Sequence, residues 1–195
     1  TLELGLHLRR SLFYRFFGLG PLSKNANESS YTRVGGELDG RVGYNFTQNW
    51  NAGVFAQLER QLVEQKHVDF LPLTNSVFPN TTGLGGATAW SEGLSVRFDN
   101  RARREYSPNG FASDLSAAFV HGISGTDNYA RLSAEAKGLW EETSFLQGAA
   151  RAYWAYTPGH DIPFYNQSSL GGSFRMRGFT EDRFIDKGAW EIELE

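Results

Sequence analysis

The 195-residue sequence contains no cysteine, one methionine and no apolar run of about 18 residues. The lack of cysteine excludes a disulfide scaffold, a CxxC zinc site, an iron–sulfur cluster and a thiol nucleophile. The lack of a long apolar run excludes a transmembrane helix. The net charge of -3 provides no overall positive charge that would favour nucleic acid as a partner.

The motifs of common enzymes are also missing. The four histidines are dispersed, and none has the HxxxH or HExxH spacing of a zinc site. No G-x-S-x-G nucleophile elbow occurs, and the glycine-rich residues 83–86 lack the lysine of a phosphate-binding loop. The sequence therefore predicts no enzymatic activity, no metal and no cofactor.

What the sequence does contain is alternation of polar and apolar residues. In residues 33–46, Val34, Leu38 and Val42 share one face of a strand, and Glu37 and Arg41 share the other. A helix would spread these charges around its whole circumference. The eight alternating segments are residues 2–9, 33–46, 50–62, 94–99, 111–123, 130–141, 146–156 and 190–195.

Two architectures fit this alternation: a soluble sandwich or barrel with a dry core, and a membrane barrel with its apolar face in lipid. Mean hydropathy is only -0.43, but a barrel strand exposes only every second side chain to lipid. Charges along the polar faces, small residues on the apolar faces and aromatics near segment ends favour the membrane. The exception is Arg60, which falls on an apolar face and is expected to snorkel outward. We therefore predict an all-β, antiparallel transmembrane β-barrel.

The lengths of the connections assign the two sides of the membrane. Long and short connections alternate, except for the short one at residues 124–128, and outer-membrane barrels place their long loops outside. Residues 158–187 are thus predicted to be a long extracellular loop. Because the chain begins and ends within alternating segments, residues 1–195 are expected to be a single partial β-barrel domain.

Three motifs, in chain order, carry a family resemblance. Residues 16–20 read Phe-Phe-Gly-Leu-Gly, residues 98–101 read Phe-Asp-Asn-Arg before Pro-Asn-Gly at 108–110, and residues 171–179 read Gly-Gly-Ser-Phe-Arg-Met-Arg-Gly-Phe. Together they resemble the bacterial surface-antigen family, the barrels of BamA- and TamA-type outer-membrane assembly factors. The resemblance implies the middle eight strands of a sixteen-stranded barrel, without its first four strands, its last four strands or any POTRA domains.

The resemblance also implies a functional loop that folds back into the barrel lumen. Its motif residues are Gly171, Gly172, Arg177, Gly178 and Phe179. In the family the loop arginine contacts acidic residues of the inner wall, and a guanidinium can bind a carboxylate through two hydrogen bonds. We expect Gly178 to adopt a left-handed backbone conformation and Phe179 to be an apolar anchor.

The expected acidic partners of Arg177 are Glu195 first and Glu193 second, both on the polar face of the last segment. The alternative is that Arg177 is an ordinary solvated loop arginine. The second motif is expected to be a structural turn. It consists of Asp99, Arg101, Pro108 and Gly110.

The function implied by the resemblance is insertion of barrel proteins into the bacterial outer membrane, or polypeptide translocation across it. The implied partners are outer-membrane lipid, unfolded or secreted polypeptide clients, and periplasmic or lipoprotein partners, with no nucleic acid. Alternatives are a membrane anchor or export pore for a fused patatin-like lipase domain, a passive pore, and a soluble β protein.

Overall fold

A computed structural model describes residues 1–66, 70–101, 109–143 and 146–195 of the protein. These residues form ten strands, one short helix and two 3₁₀ turns. The strands are β1 (Leu2–Phe16), β2 (Ser29–Asn45), β3 (Trp50–Glu64), β4 (Ala87–Asp99), β5 (Gly110–Ser124), β6 (Tyr129–Thr143), β7 (Leu146–Tyr156), β8 (Ser168–Leu170), β9 (Phe184–Asp186) and β10 (Gly188–Leu194). The helix α1 is Thr74–Val77, and the 3₁₀ turns are Asn25–Asn27 and Phe164–Asn166.

Eight strands form one antiparallel sheet in the order β1-β2-β3-β4-β5-β6-β7-β10, and β8 pairs with β9 separately. Each strand of the large sheet pairs with the strand next to it along the chain, except that the β8–β9 pair is inserted between β7 and β10. The sheet is not closed, because β1 and β10 form its two edges. This arrangement confirms the predicted all-β, antiparallel fold, and the total of sixteen strands stays a prediction.

The apolar residues of the sheet share one exposed face, as the alternation predicts; we call it the outer face, because the long loop covers the opposite, polar face. Val42 pairs with Val54, and Val54 pairs with Leu94, so one row of apolar side chains crosses three strands on the same face. The four leucines at positions 2, 4, 6 and 8 of β1 are between 69% and 81% exposed. The apolar rows therefore do not meet in a dry interior. Among the described residues, no helix is long and apolar enough to cross a membrane.

The packed core lies at one end of the sheet, which we call the loop end because the β1–β2, β3–β4 and β7–β8 connections all lie there. Phe16, Tyr31, Phe164 and Ile185 form this core and are at most 2% exposed. These four residues come from β1, β2, a 3₁₀ turn and β9. The core therefore joins the strand ends to the long loop.

Buried hydroxyl groups fasten the β3–β4 connection to the same end. The Thr74 hydroxyl donates to the Ser30 carbonyl oxygen at 3.0 Å, and the Ser29 hydroxyl donates to the Phe16 carbonyl oxygen at 2.9 Å. Each bond satisfies a buried polar group that would otherwise be costly to remove from water. The opposite end of the sheet, where the turn of residues 46–49 lies, is the turn end.

The first strand is longer than the alternation predicts, because a β-bulge interrupts it. Between Ser11 and Tyr14 of β1 the chain takes three steps, whereas β2 takes only two between Tyr31 and Arg33. The extra residue reverses the alternation, so that Tyr14 lies on the polar face beside Arg33, at 3.2 Å between its hydroxyl and Nη2. β1 thus continues to Phe16 instead of ending near residue 9.

Candidate functional site

The candidate site is the connection between β7 and β10, which folds onto the polar face of the sheet. β8 and β9 form its root at the loop end, where Leu170 pairs with Phe184. Residues 171–183 project from this root. Their tip contacts Glu195, which lies seven residues after Gly188, the first residue of β10. Seven residues of extended strand span about 23 Å. The excursion therefore runs from the loop end towards the turn end of the inner wall.

Three glutamates at alternate positions, two in β10 and Glu195 directly after it, hold the tip of this loop. The Met176 backbone N–H donates to Glu191 Oε1 at 2.7 Å. Arg177 donates from Nη2 and Nε to Glu193 Oε1, at 2.6 and 3.2 Å, and its guanidinium also contacts Glu195. Alternate residues of a strand share a face, so the three carboxylates form a continuous acidic row. We call these five residues the latch.

A second set of contacts lies beside the latch on β6 and β7. The Arg175 guanidinium lies 3.7 Å from the centre of the Tyr153 ring, and its Nη2 is 3.9 Å from Glu135 Oε2. Arg151 donates from Nε to Glu135 Oε1 at 2.9 Å and also contacts the Phe174 carbonyl oxygen. Two arginines of the motif are therefore bound to the wall, on neighbouring strands.

The two motif glycines at the start of the excursion have backbone conformations that suit glycine. Gly171 has φ 120° and Gly172 has φ 102°. A Cβ atom at Gly171 would collide with the Thr180 carbonyl oxygen and lie 2.9 Å from the Arg183 nitrogen. The two ends of the loop approach each other so closely at position 171 that only glycine, which has no Cβ atom, fits there.

The expectation of a left-handed conformation at Gly178 is wrong. Among the residues at the tip, Met176 has a left-handed φ of 50°, whereas Gly178 does not have a positive φ. The tip is a turn closed by the Phe179 N–H, which donates to the Met176 carbonyl oxygen at 2.9 Å. A Cβ atom at Gly178 would have no atom within 4 Å.

These differences predict unequal effects of alanine at the two positions. Gly171→Ala should destabilise the loop by about 1–3 kcal/mol, since it adds both a collision and a strained φ. Gly178→Ala should cost much less, because space is open around it. Limited proteolysis of the loop in the folded protein would measure both. Equal cleavage of the two variants would contradict the packing described for Gly171.

Phe179 contacts the root of the loop through an aromatic pair. Its ring centre lies 5.3 Å from that of Phe184 at an interplanar angle of 66°, and the side chain is 47% exposed. Phe179 thus packs against β9. Its predicted role as an anchor is not tested by this contact alone.

The described residues of the second motif lie at the turn end of the sheet, where β4 ends and β5 begins. Arg101 donates from Nε to Asp99 Oδ1 and from Nη2 to Asp99 Oδ2, both at 2.9 Å. These hydrogen bonds raise the pKa of the Arg101 guanidinium. Gly110, with φ 144°, lies so close that an added Cβ would be 2.8 Å from Arg101 Cγ. Pro108 lies outside the described residues.

The turn motif and the latch line one cavity of about 230 Å³. Its charged lining comprises Arg101, Lys137, Arg151, Arg177, Glu193 and Glu195. The alternation pattern could not predict that Arg101 and the latch line the same cavity, because this depends on how far the loop extends along β10. Four cations and two carboxylates make the cavity a polar, predominantly basic environment.

A larger polar cavity of about 530 Å³ separates the 3₁₀ turn of the loop from the wall near the loop end. Arg131 of its lining donates to the Tyr129 hydroxyl at 2.8 Å and to Glu59 Oε2 at 3.4 Å. Asn166 donates to the same Tyr129 hydroxyl at 3.1 Å. Burial raises the pKa of the neighbouring Tyr165 phenol, which therefore stays neutral. No group of three or more potential metal ligands occurs in the described part of the chain.

Several residues at the site were not identified from the sequence. The missed residues are Glu135, Arg151, Tyr153, Arg175 and Glu191. Their strand positions were a usable signal, since Glu135, Arg151 and Glu191 all occupy the predicted polar faces. Arg175 lies within the motif itself, two positions before Arg177, and this position was the available signal.

An antiparallel sheet with an exposed apolar outer face, and a polar inner face that holds a long loop, is the arrangement typical of the wall of an outer-membrane β-barrel. A family model, the Omp85 superfamily domain, matches residues 1–190. The chain therefore belongs to the Omp85 superfamily, and the resemblance to surface-antigen barrels is confirmed. Proteins of this superfamily are outer-membrane β-barrels of membrane-protein assembly and translocation. No curated protein matches the chain.

Proposed function

We propose that this chain forms part of a bacterial outer-membrane barrel that inserts barrel proteins into the membrane or moves polypeptides across it, and that it catalyses no reaction. Membership in the Omp85 superfamily supports this class of function. The observation that carries the proposal is the latch, because it holds a loop rooted at the loop end against the inner wall as far as Glu195.

The latch is built for reversible contact. The Arg177 side chain is 56% exposed, and that of Glu195 is 54% exposed, so water weakens their attraction. Such ion pairs hold a loop in position without making its release prohibitive. We propose that the latched loop narrows the lumen, and that a polypeptide client displaces the tip as it enters.

The partners follow from the two faces and the turn end. Lipid of the outer membrane covers the exposed apolar face, and unfolded or secreted polypeptides are the clients at the polar face. Arg101 of the turn motif and the latch line the same cavity. A periplasmic or lipoprotein partner that binds at the turn end can therefore change the contacts of the loop through this cavity. We propose no nucleic-acid partner.

The test is to change Arg177 in the complete barrel. Arg177→Ala should increase the open-channel conductance in planar bilayers and impair insertion or translocation of clients. Arg177→Lys keeps the charge but loses the planar fork, so it should have an intermediate effect. Wild-type conductance and wild-type transport in Arg177→Ala would overturn the proposal.

A double-mutant cycle separates the latch from a general effect of charge. Glu193→Gln combined with Glu195→Gln should behave like Arg177→Ala, and adding the three changes together should cause little further change. Additive effects would show that the arginine and the glutamates act independently, which contradicts a latch.

A further inference from the structure

Charged residues on the outward face near the loop end are not explained by the proposed function. Arg10 of β1, together with Arg60 and Glu64 of β3, occupies positions that alternate with the lumen-facing residues. Arg10 follows the four exposed leucines, and Arg60 lies between Leu58 and Leu62 of the apolar row. Arg60 is the exception noted in the sequence pattern, and it is exposed.

These charges do not balance one another. Glu64 Oε2 lies 2.7 Å from Lys66 Nζ and 3.8 Å from Arg10 Nη2, so one carboxylate serves two cations. Arg60 has no hydrogen bond or ion pair with any residue that the structure describes. Glu92 of β4 lies on the same face but is occupied by His121, at 2.8 Å between Oε1 and Nε2. Arg10, Arg60 and Lys66 therefore exceed Glu64 by two positive charges near the loop end of this face.

The depth of Arg60 places its charged group near a membrane surface. Arg60 lies four residues before the end of β3, which is about 13 Å along the strand and about 10 Å along the axis of a tilted barrel strand. An arginine side chain can extend several ångströms towards the head groups while its carbon atoms stay among acyl chains. Trp90 pairs with Leu58, and Arg60 pairs with Thr88, so Trp90 is the diagonal neighbour of Arg60 on the same face. Tryptophan favours the depth of the membrane interface.

We propose that Arg10, Arg60 and Lys66 form a binding site for the phosphate of a membrane-lipid head group. A guanidinium binds phosphate oxygens through two parallel hydrogen bonds, and a lysine adds a point charge. The exposed leucines at positions 58 and 62 lie directly beside the cations and suit acyl chains. This combination fits a phospholipid or phosphorylated glycolipid better than a soluble phosphate. The site rests on the proposed membrane location.

Tryptophan quenching in vesicles tests the site. The protein is reconstituted in phosphatidylcholine with a small fraction of either phosphatidate or phosphatidylcholine that carries brominated acyl chains, which quench a tryptophan on contact. The quenching that disappears in Trp90→Phe isolates the signal of Trp90. Brominated phosphatidate should quench Trp90 at about one twenty-fifth of the mole fraction needed for brominated phosphatidylcholine, because each of the two net positive charges strengthens binding of an anionic lipid about fivefold.

The matched variants are a double change on the outer face and a single change on the inner face. R10Q combined with R60Q should abolish the preference for phosphatidate. R9Q should retain it, because Arg9 is the adjacent residue on the same strand and lines the lumen cavity. Circular dichroism would verify that all variants keep their strand content.

Four outcomes would overturn the site. They are equal quenching by the two lipids in the wild type, loss of preference in R9Q, retained preference in the double variant, and release of phosphatidate by excess inorganic phosphate. Absence of quenching by either lipid would instead refute the membrane location, and with it both the proposed function and the site.

Discussion

Replacing Phe164 by alanine is expected to lower the free energy of unfolding by about 3–5 kcal/mol, the usual cost of removing a fully buried phenylalanine. Phe164 is 0% exposed, and its ring centre lies 4.5 Å from that of Phe16 and 5.0 Å from that of Tyr31. The ring therefore joins the long loop to β1 and β2. Its loss leaves a cavity at the point where three elements meet.

Urea titration of the protein in lipid vesicles would measure this loss, and proteolysis would report release of the loop root. The matched control is Phe174→Ala in the same loop, because Phe174 is 80% exposed and the contact of Arg151 is with its backbone oxygen. That variant should change stability by less than about 0.5 kcal/mol. Similar losses in the two variants would show that the buried cluster does not hold the loop.

The latch and the buried core give the loop two different energetic characters. The root is held by apolar burial, which is insensitive to salt, and the tip is held by exposed charges, which salt screens. A rise in ionic strength should therefore loosen the contacts of Arg177 before those of Phe164. A loop that pivots on a stable root can leave the lumen and return without unfolding the barrel.

The faces of the strands could be predicted because the signal is local. Side chains alternate along every strand, so the positions of Val34, Leu38 and Val42 already place them on one face together. The bulge in β1 could not be predicted, because Ser11 and Tyr14 depend on their register against β2. The core around Phe164 and Thr74 could not be predicted either, because it joins loop residues that are far apart in the sequence and follow no strand periodicity.

The candidate site was partly predictable for a similar reason. The motif resemblance identified Arg177, and the alternation placed Glu193 and Glu195 on one face of β10. It could not decide between them, because neighbours on one face are only about 6.6 Å apart and a long arginine reaches both. The structure shows contacts to both carboxylates. A glycine at position 178 suggested a left-handed backbone conformation there, but in the structure Met176 has the left-handed conformation that closes the turn.

Introducing arginine on the outer face is expected to have the second large effect. Val54 lies in the row with Val42 and Leu94 and is 53% exposed. If that exposure is to hydrocarbon, Val54→Arg should reduce the free energy of insertion and folding by about 2–4 kcal/mol, the cost of an arginine near the middle of a bilayer. Gln57→Arg is the control on the same strand, because Gln57 lines the polar lumen cavity.

Folding of both variants into vesicles across a urea series would measure the difference. Gln57→Arg should cost far less, because the new charge enters a polar cavity near Glu59 and Glu37. Equal stability of the two variants would mean that both faces meet water, and a greater loss in Gln57→Arg would reverse the inside and outside of the wall. The comparison thus tests the orientation on which the loop, the latch and the lipid site all depend.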